Sequence, residues 1–98
     1  MPFAVRTTNY QNQSMLNICD AKILGKKIIE GELTINISEN YYGERFVERE
    51  EAEILLKTSS IINMAGKETI SLSLQLGIGS ENAVKIISDV PFLIIFNM

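Results

Sequence analysis

The residues of this chain best suited to chemistry are Asp20, Lys22, Lys26, Lys27, Tyr42 and Asn63, each beside an expected turn or at the end of an apolar run. The densest cluster is Cys19-Asp20-Ala21-Lys22-Ile23-Leu24-Gly25-Lys26-Lys27, where three of the nine basic residues fall within six positions. Lysines so close together can hold a phosphate backbone or an acidic protein surface by charge attraction, although a solvated turn also explains them. Gly25-Lys26 has the last pair of a phosphate-binding loop. It lacks that loop's earlier glycine, and Lys27 stands where Ser or Thr would bind magnesium, so no nucleotide site is expected.

Other chemistry is poorly supplied. Histidine is absent, so acid–base catalysis at neutral pH would fall to carboxylates, lysine, tyrosine or Cys19. Lys22 would favour the Cys19 thiolate but Asp20 opposes it, and a lone cysteine ending an apolar strand reads more simply as a small buried hydrophobe. Glu48, Glu50, Glu51 and Glu53 lack the Asp/Asn spacing and central glycine of a calcium loop and read as a solvated helix face. Tyr41-Tyr42-Gly43 suits either base stacking or packing beside a sheet. No metal or cofactor is expected.

The elements that must position these side chains follow from periodicity and turn chemistry. Phe3 to Thr8, a polar turn, and Met15 to Cys19 read as strand, turn and strand. Asp20 is placed to cap a short helical turn through Leu24 that Gly25 ends. Leu33, Ile35 and Ile37 alternate with Thr34, Asn36 and Ser38, a clear strand signal. Asn40 to Gly43 reads as a turn. A helix is expected over about 48–58, carboxylates at its start, Lys57 near its end, and Arg49–Glu53 and Glu53–Lys57 at i,i+4 spacing. A second helical piece is expected near 60–65, ending at Gly66.

Residues 67–76 are ambiguous, since Ile70, Leu72, Leu74 and Leu76 alternate strictly with polar residues while Gly77 offers helix C-cap chemistry. Residues 84–88 and 92–96 read as closing strands. The unbroken run Phe92-Leu93-Ile94-Ile95-Phe96 suggests a strand covered on both faces, central in the sheet or sealed by a partner.

At 98 residues and 46% hydrophobic, the chain is sized for one α+β domain over 1–98. A mixed or antiparallel sheet of about five strands is expected, with two to three helices between the N-terminal strands and the C-terminal pair. The net charge of −3 argues against wholesale attraction to DNA. Charge is nonetheless two-sided: Arg6, Lys22, Lys26 and Lys27 oppose only Asp20 in residues 6–27, whereas six glutamates oppose Arg45 and Arg49 in residues 39–53. One cysteine excludes an internal disulfide and fits a reducing compartment, and no run approaches the ~18 apolar residues of a membrane helix, so a cytoplasmic location is expected.

The chain carries an ordered set of motifs: Cys19-Asp20-Ala21, Leu24-Gly25-Lys26, Glu30-Gly31, Tyr42-Gly43, Asn63 with Gly66, Val90-Pro91 and the Phe96-to-Met98 ending. This set resembles one archaeal family, the "domain of unknown function 424". Asp20, Lys26, Tyr42 and Asn63 sit at that family's spaced positions, and if they converge they form one groove between residues 19–27, the turn at 40–43 and the helical piece around Asn63. The resemblance runs from about residue 15 to the last residue. It implies a small cytoplasmic α+β domain, favours helix over strand at 67–76, and carries an association with translation. The resemblance implies a histidine that often follows the Val-Pro pair and an arginine that often precedes the final methionine. Phe92 and Asn97 stand there in this chain, so a role resting on either does not transfer.

The function expected is therefore a non-catalytic interaction module, associated with RNA or a translation-related protein, with Lys22, Lys26 and Lys27 as contact surface. One alternative is a protein-interaction module or homodimer formed through the C-terminal strand. The other is a small-molecule binder or enzyme using Asp20, Lys26 and Tyr42.

Overall fold

Two antiparallel hairpins and one parallel crossover build the main sheet. In the computed structural model, which describes residues 1–96, β1 (Phe3–Tyr10) turns into β2 (Gln13–Asp20) through Gln11 and Asn12, both at positive φ as a tight two-residue hairpin turn requires. A 3-10 turn (Ala21–Ile23) leads into a separate small hairpin, β3 (Lys27–Glu30) and β4 (Leu33–Asn36). Then follow α1 (Glu39–Tyr42), β5 (Arg45–Val47), α2 (Arg49–Thr58), β6 (Ile61–Ala65), α3 (Lys67–Gln75), a 3-10 turn (Glu81–Ala83), β7 (Lys85–Ile87) and β8 (Val90–Phe96). The six-stranded sheet has the order β5-β1-β2-β6-β8-β7, and β2 with β6 is its parallel pair. The fold is α+β and mixed as expected, with more strands than expected.

The segment at 60–65 is not helical; it is β6, in the interior of the sheet. Ser59 ends α2, and the five apolar-rich residues that follow are too few for a packed helix but enough to cross the sheet between β2 and β8. Gly66 therefore ends a strand and precedes α3. The expected turn at 40–43 is the short helix α1, begun by Ser38, whose hydroxyl accepts from the Tyr41 N–H at 3.2 Å. The ambiguous 67–76 segment is helical: Thr69, Leu72, Ser73 and Leu76 are spaced i, i+3, i+4, i+7 and turn toward the core, while Gly77 at φ +77 closes the helix. Bonds from Gly77 N–H to Leu74 O and from Ile78 N–H to Ser73 O complete that C-terminus.

Each face of the sheet carries its own core. Alternation sends Val5, Ile18, Ile62, Met64 and Leu93 to one face, where Leu56 of α2 and Ile70 and Leu72 of α3 cover them. Ala4, Cys19 and Ala65 point the opposite way and meet Ile28 of the small hairpin, Ile37 just after it and Tyr42 of α1. Glu53 pairs with Arg49, whose guanidinium also donates to Gln75 Oε1 at 2.8 Å and ties α2 to α3. Among the described residues Glu53 makes no ion pair with Lys57.

Candidate functional site

Asp20 is the last residue of β2 and is only 1% exposed. It does not cap the 3-10 turn that follows it. Its carboxylate instead receives the N–H of Glu68 at 3.0 Å, and the N–H and hydroxyl of Thr69 at 2.8 Å each. These are donors of the first turn of α3, whose own preceding residue, Gly66, has no side chain to offer. The negative charge also faces the positive end of the helix dipole. A Cβ on Gly66 would overlap the Asp20 carboxyl, and the φ of +108° there is strained for any other residue, so glycine is needed for both reasons.

Pro91 completes this arrangement. Gly66 N–H donates to Pro91 O at 2.9 Å, but Pro91 has no N–H to return. The Gly66 carbonyl is left for Ile70 N–H, at 3.0 Å, the first bond of the helical ladder. Sheet pairing thus stops where the helix begins.

A shallow cleft of about 220 Å³ lies beside this junction, lined by Asp20, Lys22, Ile23, Gly66, Lys67, Asp89, Val90 and Pro91. Lys22 stands 3.8 Å from Glu68, with both side chains mostly in water. Lys26 and Lys27 are exposed on the turn into β3, and among the described residues neither joins an ion pair.

Tyr42 and Asn63 lie across the sheet. Tyr42 is 6% exposed, and its ring packs edge-on against Tyr41 with centroids 4.9 Å apart. Burial raises its hydroxyl above the ordinary tyrosine value, with smaller contributions from Tyr41 and Cys19. Asn63 faces Asn17, its register neighbour on β2: Asn63 Nδ2 donates to Asn17 Oδ1 at 2.7 Å, and Asn17 Nδ2 donates to Tyr41 O at 3.0 Å. On the adjacent β1, Arg6 donates to Asn40 O at 2.9 Å. The last carbonyls of α1 are thus held by side chains of the sheet.

Cys19 is wholly buried on the Tyr42 side, and burial followed by the Asp20 charge pushes its thiol up to about 12. The structure therefore gathers Asp20 and Lys22 at one cleft and Tyr42 and Asn63 on the opposite face, and the single groove expected at the motif positions does not form. Sequence reasoning passed over Asn17, Thr69 and Lys67. A polar residue inside the apolar run Met15-Leu16-Asn17-Ile18-Cys19 was the available signal for the first; the other two carry none.

Among the described residues no helix is long and apolar enough to cross a membrane. No curated protein matches the chain. A solved structure, described as an uncharacterized conserved protein from Methanopyrus kandleri, shares the fold with a TM-score of 0.80 at 19% identity, covering 98% of this chain and 91% of that one. The profile of a family described as "Protein of unknown function (DUF424)" matches residues 8–98, and with nearly its whole length so matched the chain belongs to that family.

Proposed function

We propose that the chain is a non-catalytic cytoplasmic interaction module that contacts RNA or a protein of the translation apparatus through the turn bearing Lys22, Lys26 and Lys27. The observation that carries this reading is the use made of the groups best able to do chemistry. The Asp20 carboxylate is occupied by three donors of α3, the Cys19 thiol is buried and held protonated, and Tyr42 is packed into the smaller core. Lys26 and Lys27 are exposed and among the described residues join no ion pair, and the weak exposed pair of Lys22 with Glu68 is easily exchanged for a phosphate.

The test is binding of the purified chain to RNA from its native cytoplasm over a salt series. Each lysine on a single-stranded backbone contributes roughly 0.7 to the slope of log K against log salt, so K26E/K27E should flatten it by about 1.4. Equal binding by wild type and variant removes the lysine turn as contact surface. Capture of an acidic protein in place of RNA, lost in the same variant, directs the reading to the protein partner.

A further inference from the structure

Among the described residues no strand pairs with the outer half of β8 on its free edge. β7 pairs with β8 only from Lys85↔Phe92 to Ile87↔Val90, through a two-residue turn in which Ser88 and Asp89 both have positive φ. In such a hairpin the residues flanking the turn exchange hydrogen bonds and every second pair does so again. Val90 and Phe92 therefore aim their backbone groups at β7, and Ile94 and Phe96, at the same parity, aim theirs past its end. Among the described residues no backbone bond meets them there.

Their side chains are open too, with Ile94 58% and Phe96 68% exposed. Val90 to Phe96 contains no charged residue, so the usual electrostatic guard of an edge strand is missing. The opposite edge is treated differently. There Thr7 N–H, beyond the reach of β5, bonds the Glu44 carboxylate at 3.2 Å.

Beside Ile94 lies an apolar cleft of about 370 Å³ between the small hairpin and the sheet, lined by Ile35, Ile87, Phe92 and Ile94 with Lys85 at its rim. The 3-10 turn Glu81–Ala83 forms the outer wall at Ala83. Phe96 and this cleft belong to one strand, two residues apart. An antiparallel copy of the same strand brings each to the other.

We propose that β8 is a self-association surface on which a second copy of this chain pairs antiparallel about Ile95, each copy's Ile94 opposite the other's Phe96 and each Phe96 ring entering the other's cleft. β7 holds the edge up to Phe92, so this is the register that joins both free residues of each strand. The contact is isologous and closes as a dimer. It deepens the reading of the chain as an interaction module by naming one partner, and it leaves the lysine turns of both copies free.

Sedimentation velocity across a micromolar concentration series tests it. A concentration-dependent dimer that survives molar salt is expected. F96E and I94K, changes at exposed positions, should each weaken it about 100-fold or more while the monomer keeps its circular dichroism and melting point. Amide exchange reads the ladder directly: the Ile94 and Phe96 N–H groups should become protected as concentration rises in the wild type and stay open in F96E. A chain that is monomeric throughout, a dimer indifferent to both substitutions, or one dissolved by salt overturns the proposal. A monomeric result with K26E/K27E-sensitive RNA binding would remove this dimer and leave the module reading standing.

Discussion

Asp20 and Thr69, 49 residues apart, meet through two hydrogen bonds of 2.8 Å, from the Thr69 N–H and from its hydroxyl, to one carboxylate oxygen. A strand end thereby supplies the cap that a helix elsewhere in the chain lacks, and a charged group is buried with its donors already in place.

Replacing Asp20 should therefore be costly. D20A removes charge-assisted bonds and leaves α3 donors buried, and a loss of about 2–4 kcal/mol is expected; D20N keeps the shape but turns an amide toward those N–H groups and should lose roughly 1–3 kcal/mol. Urea unfolding measures both. A change under half a kcal/mol in D20A would show that the cap contributes little.

Gly66 and Asp20 should be coupled. G66A alone forces a methyl group into the carboxyl and strains a backbone at φ +108°, so it should cost at least about 2 kcal/mol. In D20A the collision is gone and only the backbone strain remains. A double-mutant cycle should show the combined loss falling short of the sum by about 1 kcal/mol or more, and simple additivity would refute the contact.

Cys19 gives a pH signature. Its thiol titrates at the ordinary value of 9.0 when unfolded and at about 12 when folded, raised first by burial and then by Asp20. Between these values the unfolded chain has released its proton and the native chain has not, so stability is intact below pH 9 and falls as pH rises through the window, by about 1.4 kcal/mol per unit. C19A should flatten the alkaline limb of the stability curve by that slope. The same burial should leave the native thiol inert to aromatic disulfide reagents at pH 8 and reactive once the chain is unfolded.

The Asn17–Asn63 pair can be tested through α1. N17A strips Asn63 of its acceptor and the Tyr41 carbonyl of its donor, and should destabilise by about 1–3 kcal/mol, with faster amide exchange across Glu39–Tyr42. A variant with unchanged exchange in α1 would show that the helix stands without the sheet.

Sequence reading succeeded where local chemistry and tertiary demand agree. The β1–β2 hairpin, β4, α2 and the β7–β8 hairpin all have turn residues and apolar spacing that point one way. It failed at β6, because five apolar-rich residues after a helix look locally like more helix, and their place between β2 and β8 is decided by strands far off in the chain. The run Phe92 to Phe96 suggests a strand central in the sheet or sealed by a partner; within the chain Leu93 is buried while Ile94 and Phe96 are open. Asp20 has the chemistry of a capping residue, but its helix begins 47 positions along the chain, beyond the reach of local spacing, and Thr69 carries no local mark of its role.

The parallel pairing of β2 with β6 has a consequence for how the chain is made. Asn17 meets Asn63 across 46 steps of sequence, and every register pair between β2 and β6 has that separation. During synthesis the first hairpin can form early, but it waits with one long flank unsatisfied until residues 61–65 emerge, and α3 cannot be anchored on Asp20 before then. Ribosome-bound fragments ending ahead of β6 should accordingly be the aggregation-prone and protease-sensitive stage of this protein's life.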